Sequence, residues 1–283
     1  MDPIQWDASG DDRPSLRDPV LVTAFEGWND AGDAASSAVR YLVEHCDAQC
    51  WARVDPEDFF DFTCSRPHVA LDDEGERTVT WSTTEFYAGT LPGGGDAVFA
   101  VGPEPHLRWR TYCDAFVQLA NTLGCQTAVV LGALVAEVPH NRPVQVVGTT
   151  PDPERAARIG LQPSRYEGPT GIVGVLTAAL RAAGLATTSL WAAVPAYVPS
   201  APSPKAALAL VEYTGKALDT WLPSSDLESA AASYERQVSE LVAEDDETTD
   251  YVRELEKRHD AEDQAPGRTL VEQVERYLRD RSN

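Results

Sequence analysis

Lysine is nearly absent from this sequence, and acidic residues outnumber basic ones almost two to one. The 283 residues include 3 Lys and 20 Arg against 45 Asp and Glu, a formal net charge of −22. A protein with this charge is repelled by nucleic-acid phosphates and by anionic lipids, and its basic residues are spread along the chain. We therefore expect neither nucleic-acid binding nor binding to a membrane surface.

Long apolar runs are also missing. The longest, Thr127–Ala136, is only about half of the roughly 20 residues that a bilayer-spanning helix needs. The first residues, MDPIQWDASGDDR, are acidic and polar, whereas a signal peptide has a basic and then an apolar region. We expect no transmembrane segment and a cytoplasmic location.

Cysteine is present in an odd number and without any CxxC pair. The five residues are Cys46, Cys50, Cys64, Cys113 and Cys125. Neither histidines nor a second cysteine pair accompany them at the spacing of a zinc site. The sequence therefore predicts free, buried thiols, and it predicts neither a metal site nor a bound cofactor.

Strand-like and helix-like segments alternate through the first three quarters of the chain. Apolar runs without polar alternation are typical of strands that are covered on both faces. Such runs are predicted at 20–25, 97–101, 127–134, 144–147 and 187–194, with further strand-type segments between residues 50 and 81. Helical patterns follow at 34–45, 107–123, 171–183 and 205–218. This order predicts an α/β fold in three layers, α/β/α.

The composition divides the chain into three parts. Residues 1–18 are rich in Asp and Pro and are predicted to be a flexible arm, and 19–222 form the α/β domain. Residues 223–283 are predicted to be an acidic helical extension, because 226–283 alone hold 17 acidic and 8 basic residues. The capping-box patterns Ser225–Glu228 and Thr269–Glu272 would each begin a helix there.

Ligands of open α/β sheets usually bind at the carboxyl ends of the strands. The first strand ends in a loop with three carboxylates, Glu26, Asp30 and Asp33. They could hold a hard cation or act as an acid and a base, but Asp30 or Asp33 is also a natural N-cap for the following helix. Glu26 would need a cationic partner from another loop. The candidates are Arg66, Arg108 and Arg142.

Other loops add His, Arg, Glu and Thr side chains to the same predicted edge. The segment before the helix at 171 could bind an anion through its backbone amides, or could simply begin the helix with Pro169. We expect a rim or pocket formed by residues of several loops: Glu26, Asn29, Asp30, Arg66, His68, Arg108, His140, Glu167 and Thr170. Neither a GxSxG elbow nor a P-loop occurs in the sequence, so no residue receives a catalytic role.

Six segments, taken together and in order, resemble the PAC2 family, and more closely its actinobacterial-type branch. They are VLVTAFEGWNDAGDAASSAVRYL (20–42), FFDFTCSRPHV (59–69), GPEPHLRWRTYCD (102–114), LGALVAEVPHNRPVQVVGT (131–149), YEGPTGIVGVL (166–176) and SLWAAVPAYVPSAPSPKAALALV (189–211). The resemblance implies a phosphorylase/hydrolase-like α/β/α fold with a C-terminal helical extension. It also implies a homo-oligomer, with a trimer as our working assumption.

The family is named after a eukaryotic chaperone subunit that helps to assemble 20S proteasome rings. Relatives that dock onto proteasomes carry a C-terminal tripeptide of a hydrophobic residue, Tyr and any residue. This chain ends in Arg281-Ser282-Asn283, and Tyr277 lies six residues before the end. We therefore expect no docking by that route.

Two hypotheses for the function remain open at this point. The first is a non-enzymatic, oligomeric assembly factor or adaptor for protein partners, with the proteasome as a candidate partner. The second is a small-molecule hydrolase or phosphorylase-like enzyme, with its site at the carboxyl ends of the strands. The second hypothesis requires the candidate side chains to converge around a pocket.

Overall fold

A computed structural model describes residues 3–6, 14–72, 74–161, 167–199 and 201–263. The strands are β1 (Ile4–Trp6), β2 (Val20–Glu26), β3 (Gln49–Val54), β4 (His68–Leu71), β5 (Arg77–Thr80), β6 (Glu85–Thr90), β7 (Asp96–Pro103), β8 (Thr127–Ala136), β9 (Val146–Thr149) and β10 (Ala186–Pro195). The α-helices are α1 (Ala34–His45), α2 (Trp109–Leu123), α3 (Pro153–Ile159), α4 (Ile172–Ala182), α5 (Pro204–Leu218), α6 (Ser225–Ala243) and α7 (Asp246–Asp263).

Eight strands form one mixed sheet in the order β1-β3-β6-β7-β2-β8-β10-β9. The four central strands β7, β2, β8 and β10 are parallel, and they correspond to four of the predicted apolar runs. Antiparallel strands flank them on both sides, with β6 pairing with β7 and β9 pairing with β10. The carboxyl ends of the four central strands therefore meet at one edge of the sheet.

Helices cover both faces of the sheet, which confirms the predicted three-layer fold. In β2, Val22 and Ala24 face a core shared with α1 and α5, whereas Leu21 and Phe25 face a core shared with α2 and α4. Phe25 is fully buried and packs against the ring of Phe116 in α2. Because burial of one such side chain contributes roughly 1.5–3 kcal/mol, strands that are apolar on both faces are stable only inside this sandwich.

The C-terminal helices extend this core outward. Helix α6 packs on α5, and α7 packs on α6. Tyr234, Val238 and Val242 of α6 form a small buried cluster with Val198 and Val252. Helix α6 begins at Ser225, close to the predicted start, but its N-cap is Ser224 and makes no side-chain cap hydrogen bond, so the capping box at Ser225 does not form. Glu244 and Asp245 separate α6 from α7. The second capping box, Thr269–Glu272, lies outside the described residues.

The amino-terminal region differs from the predicted flexible arm. Residues 4–6 form the edge strand β1, which pairs with β3 in antiparallel register. The rings of Trp6 and Trp51 lie 4.9 Å apart between centroids. This aromatic contact joins residues that are far apart in the sequence, and no local pattern indicates it. Residues 7–13 lie outside the described ranges.

All five thiols are free, as the sequence predicts. Cys46, Cys113 and Cys125 are buried, and burial raises their pKa values to about 11, 12 and 12. Cys64 is exposed. Within the described ranges, no helix has the length and apolar character that crossing a bilayer requires.

Candidate functional site

A buried polar network joins three loops at the carboxyl edge of the sheet. Asn29, which follows β2, is fully buried, and its Nδ2 donates to Glu104 Oε1 at 2.8 Å. The same oxygen accepts a hydrogen bond from Ile172 N, also at 2.8 Å, at the start of α4. A carboxylate at this position stabilises the free amides and the positive end of the helix. Glu104 is not among the nine residues that the sequence suggests for this edge.

The network depends on a glycine at the beginning of α4. A Cβ atom at Gly171 would overlap with the side-chain amide of Asn29. The backbone conformation of Gly171 is ordinary, with φ −86°, so close approach rather than an unusual dihedral angle requires glycine here. The loop at 167–171 is thus shaped to admit Asn29.

Asp30 holds the beginning of α1. Its Oδ1 accepts hydrogen bonds from Ala35 N at 2.6 Å and Ser36 N at 3.2 Å. The residue is 4% exposed, and burial raises the pKa of its carboxyl to about 6. Of the two acidic residues that could cap this helix, Asp30 makes these bonds, whereas Asp33 is exposed and makes no side-chain cap bond.

Glu26 has a cationic partner, but it is none of the three that the sequence suggests. Its carboxylate pairs with Arg40 of α1, and both side chains are about half exposed. Arg108 pairs instead with Asp58 at 2.5 Å, and Arg142 pairs with Asp260 at 2.7 Å. Arg40 lies 14 residues after Glu26 within the predicted helix, whereas the three suggested partners lie in other loops.

His140 joins the loop after β8 to the C-terminal helices. Its Nδ1 lies 2.8 Å from the Tyr197 hydroxyl, and its Nε2 lies 2.9 Å from Ser239 Oγ in α6. Lys205 Nζ donates to the His140 carbonyl at 2.6 Å. His140 is 3% exposed, and burial, followed by the charge of Lys205, lowers the pKa of its imidazole. Both ring nitrogens are therefore occupied by protein groups.

The remaining candidates lie in other places. Arg66 and His68 are exposed at the start of the hairpin formed by β4 and β5, and Glu167 and Thr170 are exposed before α4. Within the described part of the chain, no hydrogen bond or ion pair joins any two of the nine candidates. The described residues also contain no group of three or more His, Cys, Asp or Glu that could hold a metal ion.

The β4–β5 hairpin is a separate two-stranded sheet with an exposed apolar face. Val69 pairs with Val79, and Leu71 lies on the same face because side chains alternate along a strand. These three side chains are 50%, 53% and 65% exposed in the order named. Trp81, just after β5, is 44% exposed and packs edge-on against Phe62. Apolar patches of this kind are typical of interaction surfaces.

The comparison with protein families identifies the chain. The model of the PAC2 family matches residues 24–242, which include the end of β2, all the later strands of the central sheet and nearly all of α6. The chain belongs to the PAC2 family. No curated protein is similar enough to this PAC2 chain to count as a match.

Solved structures agree with this assignment. A proteasome-assembly chaperone homologue of Mycobacterium tuberculosis is 42% identical, with a TM-score of 0.76, and the match covers 82% of this PAC2 chain and 99% of that chain. A PAC2 family protein of Streptomyces avermitilis is 43% identical at the same TM-score of 0.76, covering 83% and 100% of the two chains. An archaeal proteasome activator of Pyrococcus furiosus shares the fold, with 15% identity and a TM-score of 0.67. The match covers 85% of this chain and 99% of that chain.

Proposed function

We propose that this PAC2 protein is a non-enzymatic assembly factor or adaptor for protein partners, with the proteasome as the first partner to test. The similarity to a proteasome-assembly chaperone homologue supports the choice of partner. The observation that carries the proposal is the β4–β5 hairpin, which presents Val69, Leu71 and Val79 to solvent. An isolated two-stranded hairpin is only marginally stable in water, and a partner that covers its apolar face would stabilise it.

The carboxyl edge of the sheet supports the adaptor over the hydrolase. Asp30 and Glu104 bind helix amides, and His140 is enclosed by Tyr197 and Ser239. A catalytic acid or base needs a free position within hydrogen-bond distance of a substrate. The contacts of these polar groups instead hold loops and helices in place.

A reconstitution experiment tests the proteasome as the partner. Separately purified α-type and β-type proteasome subunits of the source organism are mixed with and without this chain. We expect complete particles to form faster when this chain is present. Native electrophoresis and peptidase activity measure their formation. Bovine serum albumin at equal concentration controls for general stabilisation. An unchanged rate, with no co-migration of the chain and any subunit, would contradict this choice of partner.

A matched pair of variants tests the hairpin. Leu71→Glu places a charge on the apolar face, and Ala70→Glu places the same charge on the opposite face of the same strand. Because charged residues are strongly disfavoured at the centre of interfaces, we expect Leu71→Glu to weaken partner binding about tenfold or more and Ala70→Glu to leave it within about twofold. Equal losses in both variants would show that the apolar face is not the contact surface.

A further inference from the structure

A cavity of about 270 Å³ lies between α4 and the strands β8, β9 and β10. Its apolar wall includes Trp28, Leu134, Val147, Pro169 and Trp191. This volume is near the lower limit of small-molecule sites, which are mostly apolar and carry a few polar groups that fix orientation. Of the nine candidate residues expected at the strand ends, only Thr170 lines the cavity.

Among the described residues that line the cavity, Arg181 is the only charged one. Its Nε donates to Thr187 O at 3.1 Å, and its Nη2 lies 2.9 Å from Thr149 O, Thr149 Oγ1 and Thr187 O. These contacts fix the guanidinium plane against the ends of two strands. Among the described residues, no acceptor forms a hydrogen bond with Nη1.

The charge of Arg181 has no acidic partner among the described residues of this strongly acidic protein. The full chain carries 45 acidic residues, yet within the described ranges no carboxylate lies within 4.0 Å of this guanidinium. Partial burial disfavours the cationic form and lowers the pKa of Arg181. Its carbonyl partners satisfy hydrogen bonds but supply no negative charge, so an anion in the cavity would find a positioned and unneutralised guanidinium.

Two tryptophans determine which kind of apolar group an anionic ligand of this cavity could carry. The Trp191 indole lies flat over Gly132 of β8, where a Cβ atom would come within 2.6 Å of its ring. Trp191 Nε1 donates to Ser189 Oγ at 3.1 Å, which fixes the ring plane. Trp28, from the loop after β2, is 38% exposed. Flat aromatic walls favour a planar or extended apolar group.

We propose that this cavity binds an apolar carboxylate, with the carboxylate on Arg181 and the hydrocarbon part against Trp28 and Trp191. This chemistry has two sources, a free aryl or alkyl acid and the C-terminal residue of a peptide. The proposal is independent of the assembly function, since the β4–β5 hairpin contributes none of the lining residues.

Isothermal titration with two pairs of probes tests the proposal on the full chain. The first pair is 4-phenylbutyrate and its uncharged amide, and the second is acetyl-Gly-Gly-Phe with a free or an amidated C-terminus. We expect at least one acid to bind about tenfold more tightly than its own amide, because a charge-assisted pair with a guanidinium is lost in the amide. The pair that shows this preference identifies the source.

Three variants locate the site. Arg181→Gln should reduce the preference for acid over amide to near unity, whereas Arg158→Gln, which removes an exposed arginine paired with Asp219, should leave it unchanged. Because Arg181 also holds two strand ends, Ala178→Trp provides a second test. Ala178 is an exposed position of α4 that lines the cavity, and a tryptophan there should block both acids.

Three results would overturn the proposal. The first is equal affinity of the wild-type chain for each acid and its amide, and the second is the absence of binding by both acids at millimolar concentration. The third is unchanged acid binding in Ala178→Trp.

Discussion

Two buried ionisable side chains, Asp30 and His140, give the fold opposite responses to pH. The pKa of Asp30 rises from 3.8 to about 6 on folding because burial disfavours the carboxylate. Between these values the folded state binds more protons than the unfolded state, so stability falls as the pH rises. Burial lowers the pKa of His140 below 6.5, and its contribution to stability falls as the pH drops through 6.5 toward that lower value.

Asp30→Asn should stabilise the protein near neutral pH. Asparagine keeps an oxygen acceptor for Ala35 N and removes the buried charge. A pKa shift of this size corresponds to at most about 3 kcal/mol in the free energy of unfolding, and we expect a gain of that order near pH 7.5 and a smaller one near pH 4.5. Urea unfolding at the two pH values measures the difference.

Asp152→Asn is the matched control, because Asp152 caps α3 through Glu154 N and Arg155 N at an exposed site. Its effect should be nearly the same at both pH values. A loss of stability in Asp30→Asn that is equal at both pH values would contradict the account of Asp30 as a buried charge.

His140→Gln should remove the loss of stability on the acidic side. An imidazolium would place a second donor, Nδ1–H, toward the Tyr197 hydroxyl, which already accepts a hydrogen bond from His140 N at 2.7 Å. Urea midpoints followed downward from about pH 7 should therefore fall less steeply in this variant than in the wild type. His106→Gln, at an exposed histidine, should keep the wild-type slope. An unchanged slope in His140→Gln would contradict the prediction.

Sequence patterns predict the contacts of some of these residues but not of others. Asp30 could be predicted as a cap because an acidic residue precedes an amphipathic helix, which is a local signal. The contact of His140 with Ser239 joins residues 99 positions apart, and no spacing indicates it. The same limit explains why the nine candidates do not gather at one point: ending near the same edge of a sheet does not fix where side chains point.

At the scale of elements, the contacts that fasten α6 and α7 to the domain differ in burial. The Lys205 side chain is 16% exposed, and its Nζ donates to His140 O at 2.6 Å and Glu235 Oε2 at 2.5 Å. Arg142 and Asp260 form a pair whose side chains are 30% and 49% exposed. Water screens the second pair more strongly than the first.

Lys205→Met should therefore destabilise more than Arg142→Met. Removing Lys205 leaves a partly buried carbonyl and carboxylate without their donor, and we expect a loss of about 2 kcal/mol. Arg142→Met should cost less than about 1 kcal/mol. Urea unfolding measures both variants, and hydrogen exchange of α6 reports whether the loss is local. The reverse order would contradict this view of how the helices are held.

Elements with strong local signals could be predicted, and those that depend on distant partners could not. The four central strands and α2 follow from apolar periodicity, and Gly124 ends α2 in a left-handed conformation with φ 78°. Strands β1, β4 and β6 have only three, four and six residues, which is too short for a clear periodic pattern, so their pairing depends on neighbours. Helix α3, only 7 residues long, is not among the predicted helices, although Asp152 and Pro153 are a helix-start signal.

At the scale of the whole molecule, the charge should oppose self-association. The expected homo-oligomer would bring together chains that each carry −22. Because the screening length falls from roughly 10 Å at 0.1 M salt to 3 Å at 1 M, we expect larger species to be favoured as salt is added. Sedimentation velocity at fixed protein concentration measures this. A monomer at every salt and protein concentration would contradict the homo-oligomer, and dissociation by salt would indicate an interface made of ion pairs.

The distribution of buried and exposed thiols allows a fluorescent label to be placed at one position of the wild-type chain. Cys46, Cys113 and Cys125 are shielded by the cores, whereas exposed Cys64 lies four residues before β4. Limiting amounts of a maleimide dye should therefore mark Cys64 first in the wild-type chain. The fluorescence of that label would follow any partner that covers the apolar face of the hairpin, without a single substitution in the surface under study.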